Sequence, residues 1–345
     1  MRTKYIFIGF VLIFLVVTAI YNFILLNNKK NIDPQSKEPK IVLPINQQPN
    51  QERKIKSVKL KFLKTIDLEK IKIYQPVKIR VVDSKSIYIL DLSVPAVKKI
   101  DIEKSDIKKY GAGKGQGPGE LLNPTDFFVD KNQNVWIIDG ALNSLSKFNY
   151  KGNFEFSIKP KSLVYRVLIS SNDKIFLISS SNEYLFLKFN QKAYEKSFGK
   201  IIDNQEKLSI LLSGYPTIDH KDNLYFVSDR GDLFLSYDSD GKLRFATNTI
   251  TGKDLLPKPK IMKEDIIVLP NQLTNLDISY HKDNVYILSK SDIKQKSECL
   301  IDVYQDDNGL YRYSINVPNK IFSFAIYSDT LFLLDEFNVY VYKIV

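Results

Sequence analysis

The sequence predicts an all-β fold, a six-bladed β-propeller preceded by a single N-terminal transmembrane helix. Three observations carry that expectation. A short apolar strand pattern recurs six times, no long amphipathic helical pattern separates the copies, and the chain opens on an uncharged apolar run.

From Tyr5 to Leu26 no residue carries a charge, with Arg2 and Lys4 before the run and Lys29 and Lys30 after it. As a helix, about 22 residues span about 33 Å, which matches the hydrocarbon core of a bilayer. A cleaved signal peptide has a shorter apolar stretch, about 7–15 residues, ending at a small-residue site. The one passable site, Val17-Thr18-Ala19, lies inside the run, so residues 1–26 are read as an uncleaved anchor. No Cys follows the run, which excludes a lipid-modified cysteine. Positive charge is heavier after the run than before it, which alone would hold the rest of the chain in the cytoplasm, but large domains translocate regardless. The very short N-terminal tail and export-like start place the following domain on the exported, periplasmic or extracellular, side. Residues 27–57, with Pro34, Pro39, Pro44 and Pro49 among Asn, Gln and Lys, read as an extended polar spacer.

The repeat fills residues 58–345. Its central strand recurs as Ile87-Tyr88-Ile89-Leu90, Val135-Trp136-Ile137-Ile138, Ile175-Phe176-Leu177-Ile178, Leu224-Tyr225-Phe226-Val227, Val285-Tyr286-Ile287-Leu288 and Leu331-Phe332-Leu333-Leu334. Each copy has an aromatic at its second position, and each follows a turn rich in Asn, Asp and Ser, as tight hairpins require. Apolar runs without alternation mark strands buried on both faces. Repeats of about 40–60 residues built from short strands are the signature of propeller blades. The last copy stops at its third strand, while Val58–Ile66 stands unassigned before the first. This orphan is expected to supply the missing outer strand and close the ring, with Leu60, Phe62 or Leu63 helping to bury the last blade.

Composition limits the chemistry. One cysteine, Cys299, permits no internal disulfide and no cysteine-rich metal site. The formal charge of +11 comes mostly from Lys, with only 7 Arg, so nucleic acid is not expected as a partner. The excess concentrates near the anchor. Residues 27–57 hold 7 basic against 3 acidic residues and residues 58–115 hold 14 against 7, whereas the remainder holds 27 against 29. A base of that sign is attracted to an anionic membrane surface.

The segment Tyr110-Gly111-Ala112-Gly113-Lys114-Gly115-Gln116-Gly117-Pro118-Gly119-Glu120-Leu121, then Asn123-Pro124, Phe128-Val129-Asp130, Asn134-Val135-Trp136-Ile137-Ile138-Asp139, Asn143 and Lys147-Phe148, resembles the NHL repeat. One blade carries the motif in full. The whole chain is similar to NHL or TolB-like six-bladed propellers of the bacterial envelope. That resemblance implies the fold and a habit of binding proteins, peptides or glycans, and no particular activity.

Each motif that could carry chemistry has a plainer reading. Gly111–Gly119 has the spacing of a phosphate loop but leads into a strand, and Lys114 is followed by Gly115, so it reads as a blade connector. His220 and His281 occupy the same register before their central strands, which places them in hairpin turns. Arg230-Gly231-Asp232 spells an adhesion tripeptide where a Gly turn is needed anyway. Asp126, Asn275 and Asp277 begin inner strands and are candidates to face the central channel. Lys258 and Lys260, in the long insertion Asn248–Thr274, are candidates for a partner-binding loop. The function expected is that of a membrane-anchored binding or scaffold module for a protein, peptide or glycan, with no cofactor. The alternative is a metal-assisted hydrolase or lyase at the channel mouth.

Overall fold

A computed structural model describes residues 39–345 apart from residues 50, 51, 57, 105, 204–208, 259, 262–266, 270, 271 and 291–298. The apolar run Tyr5–Leu26 and the first part of the spacer lie outside the described residues. Among the described residues, no helix is long and apolar enough to cross a membrane.

Six four-stranded antiparallel sheets form the blades. Blade 1 is β2 (Pro76–Val81), β3 (Ser86–Asp91), β4 (Ala96–Asp101) and β5 (Ile107–Tyr110). Blade 2 is β6 (Pro124–Val129), β7 (Val135–Asp139), β8 (Ser144–Phe148) and β9 (Phe154–Ile158). Blade 3 is β10 (Val164–Ile169), β11 (Lys174–Ser179), β12 (Phe186–Asn190) and β13 (Ala193–Phe198). Blade 4 is β14 (Gly214–Ile218), β15 (Leu224–Ser228), β16 (Leu233–Tyr237) and β17 (Leu243–Asn248). Blade 5 is β20 (Asn275–His281), β21 (Asn284–Lys290), β22 (Cys299–Gln305) and β23 (Tyr311–Asn316). Blade 6 takes β24 (Ser323–Tyr327), β25 (Thr330–Leu334) and β26 (Asn338–Ile344) from the end of the chain and β1 (Leu60–Asp67) from its beginning. The inner strands β2, β6, β10, β14, β20 and β24 each touch the next around a closed circuit. A separate small unit holds residues 258–270, in which β18 (Lys260–Ile261) pairs with β19 (Ile267–Val268).

The apolar runs of the central strands follow from this packing. In β3, Ile87 and Ile89 join a core with Phe332 and Leu334 of blade 6, while Tyr88 and Leu90 join one with Val135 and Ile137 of blade 2. Trp136 and Ile138 then face Ile175 and Leu177 of blade 3. Each strand has neighbours on both faces, so neither face tolerates polar alternation. Between blades 3 and 4 the filling is aromatic, with Phe186 stacked on Phe198 at 5.1 Å and Tyr237 against both.

Ring closure is a backbone pairing that runs from Leu60↔Ile344 to Asp67↔Asn338, broken once by a bulge between Phe62 and Lys64. The side-chain expectation for this strand needs correction. Leu60 and Ile66 pack against core residues, but Phe62 and Leu63 are 53% and 47% exposed, because the bulge turns them onto the rim.

From Pro39 on, the stretch expected to be a spacer is instead a strap along the propeller. Val42 N–H donates to Ile201 O (2.9 Å), Asn46 N–H to Ala246 O (2.8 Å), and Lys56 N–H to Ser314 O (2.9 Å). Gln48 is buried, its Nε2 donating to Gly309 O (2.5 Å) and its Oε1 accepting from Tyr311 N–H (3.0 Å). Arg53 forks onto the buried Asp302, Nε to Oδ1 at 3.2 Å and Nη2 to Oδ2 at 2.9 Å. The strap thus covers the outer strands of blades 4 and 5 before becoming that of blade 6, satisfying edges that would otherwise lie open.

This architecture orders three truncations. A chain starting at Pro39 is the reference. One starting at Val58 keeps the ring but leaves Asp302 without its cation, a loss of about 3–5 kcal/mol for a broken buried pair, and Arg53→Ala reproduces most of it. One starting at Leu68 loses the closing strand and aggregates. Denaturant melts and sedimentation of the three proteins check the order, and equal stability for all three rejects the closure account.

Candidate functional site

Four inner strands carry a β-bulge at the same place, between Pro76 and Lys78, Pro124 and Asp126, Val164 and Arg166, and Asn275 and Asp277. A bulge shifts the strand by one residue and re-aims the side chain that follows. In all four blades the residue after it is charged: Lys78, Asp126, Arg166 and Asp277. Arg80, two residues beyond Lys78, adds a third cation.

These groups interlock around the channel. Lys78 Nζ pairs with Asp126 Oδ1, both nearly fully buried. Asp126 Oδ2 accepts from Val167 N–H at 3.0 Å. Arg166 donates through Nη1 to Thr125 O (2.9 Å) and through Nε to Gly214 O (3.3 Å), and its guanidinium lies 5.4 Å and 4.9 Å from the ring centres of Tyr165 and Tyr215. Asp277 Oδ2 accepts from Ser323 Oγ (2.5 Å) and Phe324 N–H (3.2 Å). Across the channel, Arg80 Nη1 stands 3.8 Å from Asp277 Oδ1, too long for a hydrogen bond, with its side chain 16% exposed.

Counted with the neighbouring Asp229–Arg230 pair (2.9 Å), whose Asp229 also acts on Arg166, four cations stand against three carboxylates and leave one positive charge uncompensated in a poorly solvated space. Burial, then repulsion from Arg80 and, more weakly, Arg166, lowers the Lys78 ammonium to about 8 despite its partner Asp126. Burial pushes the Asp126 carboxyl up, but Lys78, Arg166 and Arg80 outweigh it and hold the group below the usual carboxylate range. Burial raises the Tyr215 hydroxyl to about 12 and the Tyr165 hydroxyl further, so both stay neutral hydrogen-bonding groups. The arrangement can hold an anionic group by charge and by donated hydrogen bonds.

Of the residues singled out from sequence, Asp126 and Asp277 face this cluster. Asn275 does not. It is fully buried between blades 4 and 5, Nδ2 donating to Ser228 O (2.8 Å) and Oδ1 accepting from Ser289 Oγ (3.1 Å). Lys258, exposed, and Lys260, at the head of β18, belong to the small separate unit. Lys78, Arg80, Arg166, Tyr165 and Tyr215 were not singled out. The shared pattern Pro76-Val77-Lys78 and Pro124-Thr125-Asp126 was the available signal for Lys78.

The plainer readings of the remaining motifs agree with the geometry. In the glycine loop, Ala112 N–H donates to Gly119 O, Leu121 N–H to Gly113 O and Gly117 N–H to Glu120 Oε2, so these amides are spent internally. Gly119 sits at φ +76°, with Phe154 Cβ 3.0 Å from where a side chain would begin. Asp232 of the adhesion-like tripeptide is 0% exposed, accepting from Thr251 Oγ1 and from Lys253 N–H, and burial raises it to about 6. His220 lies in a turn with Nδ1 3.3 Å from Tyr280 Oη, and His281 ends β20. Among the described residues, no group of three or more His, Cys, Asp or Glu could hold a metal ion.

No family model and no curated protein matches the sequence. Solved structures do match. Virginiamycin B lyase from Staphylococcus aureus aligns over 84% of this chain and 100% of its own, with a TM-score of 0.55 at 11% identity. A Bacteroides fragilis protein inferred to be exported aligns over 84% and 94% with a TM-score of 0.56 at 13% identity. A Bacteroides vulgatus member of the DUF4221 family aligns over 85% and 98% with a TM-score of 0.55 at 14% identity. The chain is a six-bladed propeller. At these identities the likeness carries the fold and nothing about activity.

The Lys78 shift gives a signed prediction. Between about pH 8 and the ordinary lysine value near 10.4, the unfolded chain retains a proton that the folded chain has lost, so this group makes stability rise with pH in that window. Lys78→Met removes that rise, while taking from Asp126 its direct ion-pair partner and lowering stability at neutral pH by about 3 kcal/mol. Urea unfolding of both proteins from pH 7 to 10 checks both signs.

Proposed function

We propose that the protein is a membrane-tethered, exported binding module whose channel takes an anionic group of a protein, peptide or glycan partner. The uncompensated positive charge of the Lys78, Arg80 and Arg166 cluster carries this reading. Arg80 is its capturing group, because its guanidinium has donors to offer beyond a 3.8 Å approach to Asp277. Lys78 and Arg166 hold the field while their own hydrogen bonds fix the channel wall. Tethering rests on the apolar run Tyr5–Leu26, and the NHL-like motif over residues 110–148 accords with an envelope binding protein.

The lyase among the structural neighbours gives the second reading, a metal-assisted hydrolase or lyase, its specific ground. Elemental analysis of the purified protein separates the two. Stoichiometric bound metal favours the second.

For the first reading, simple anions such as sulfate, phosphate and acetate are expected to raise the melting temperature saturably at pH 7. The effect weakens above about pH 8 as Lys78 loses its charge. Arg80→Gln is expected to weaken anion affinity roughly tenfold or more, the worth of a charge-assisted hydrogen bond of about 1.5–3 kcal/mol. Thermal shift and calorimetry read both effects, and an Arg80→Gln protein that binds as tightly as the wild type rejects the channel as the site.

A further inference from the structure

The closing strand and the strap that leads into it carry more positive charge than ring closure requires. Residues 53–64 hold six basic side chains, Arg53, Lys54, Lys56, Lys59, Lys61 and Lys64, and no acid. Arg53 is taken up by Asp302, and Lys64 Nζ donates to Ile102 O (2.6 Å). Lys54, Lys56, Lys59 and Lys61 are exposed, and among the described residues no carboxylate pairs with any of the four. Lys61 stands directly opposite Lys343 of β26, also exposed. Like charges placed opposite each other on neighbouring strands are destabilising. Asp329, on which Lys343 acts, is itself held by Lys282 at 3.0 Å.

The same edge exposes apolar side chains. Phe62 and Leu63, turned outward at the bulge, are the only exposed large apolar residues adjacent in sequence among the described residues. Phe62 keeps one edge contact, with Tyr342 at 5.5 Å between ring centres. Ile55 in the strap and Val345, whose N–H donates to Lys59 O (3.0 Å), are exposed as well. Lysines alone would keep an outer strand from pairing with another chain. Two adjacent apolar side chains on that strand work against such protection, so edge defence does not account for the combination.

We propose that this edge docks on an anionic lipid surface, with its lysines among the headgroups and Phe62 and Leu63 at the acyl boundary. Basic side chains beside Phe and Leu make an interfacial contact with anionic lipid, and each lysine near such a surface adds attraction. The sequence also brings a bilayer close. Its apolar run Tyr5–Leu26 ends 12 residues before Pro39, and 12 residues reach at most about 40 Å when extended. For that proximity the assignment rests on the tether reading, and it does not rest on the channel reading. Docking fixes which side of the propeller faces the bilayer.

Cys299 is buried, so a polarity-sensitive dye can be attached through Leu63→Cys and, as a control, through Tyr194→Cys on β13. The full chain is reconstituted with vesicles of phosphatidylcholine or of phosphatidylglycerol, and flotation reads attachment separately from docking. Dye at residue 63 is expected to shift to the blue on phosphatidylglycerol only, dye at residue 194 to stay unchanged, and raised salt to reverse the shift. Lys59→Glu with Lys61→Glu is expected to lower the ratio of docked to undocked protein roughly tenfold or more. Lys61→Glu alone is expected to raise the denaturation midpoint, because it faces Lys343, so lost docking is not lost folding. Phe62→Ser keeps the charge and is expected to weaken docking. No shift at residue 63 overturns docking, and flotation with both lipids in that case leaves the tether standing. A shift on phosphatidylglycerol without flotation on phosphatidylcholine supports docking and removes the tether. An equal shift on both lipids, or docking that survives the double charge reversal, overturns the proposal. The same shift with dextran sulfate and no lipid overturns it too, because the edge would then read charge alone.

Discussion

The pairing of Leu60–Asp67 with Asn338–Ile344 joins the two ends of the repeat region, and everything else in the ring presupposes it. Each central strand is buried only because a neighbouring blade stands on either side, so a gap at one interface exposes two apolar faces at once. The contact is also among the least local in the chain. Loop entropy must be spent before it forms, which makes closure a late and cooperative event rather than a seed for folding.

The same ring sets the electrostatics of its axis. Inner strands converge there with their first residues close together, and four bulges at equivalent places aim a charged side chain at a neighbouring strand. Lys78 with Asp126, Arg166 with Thr125 O and Gly214 O, and Asp277 with Ser323 stitch successive blades, so these charges also help hold the ring. The proposed function draws on the remainder of that arrangement. Removing charge from water is costly unless it is paired; Arg166 spends its donors on backbone carbonyls, whereas Arg80 has only a 3.8 Å approach to Asp277.

The blades were legible in the sequence because burial on both faces imposes unbroken apolar runs, and the six runs all fall within β3, β7, β11, β15, β21 and β25. The strap was not. Its sequence has no period, and it is held by backbone hydrogen bonds and two polar side chains, Gln48 and Arg53, which look like ordinary spacer residues. The bulge at Phe62–Lys64 hid the exposure of Phe62 and Leu63, since alternation counted along the strand fails where one residue is inserted. At the channel, Asp126 and Asp277 could be marked as strand beginnings. Lys78 and Arg166 share the register of those two aspartates but carry the opposite charge, so no residue-type pattern linked the four, and Asn275 looked equivalent although its amide is used between blades 4 and 5.

The strap also decides how the ring bears load. A pull on the chain ahead of Pro39 first meets Lys40 and Val42 at Asp203 and Ile201, then Asn46 at Ala246, then Gln48, then the Arg53 fork on Asp302. These contacts lie in series, so they rupture one after another, each releasing a short length of slack. Only when Arg53, and after it Lys54 and Lys56 at Tyr311 and Ser314, have let go does tension reach the closing strand. The propeller therefore carries its own shock absorber, a sequence of sacrificial bonds between a traction point and the one pairing on which its integrity rests.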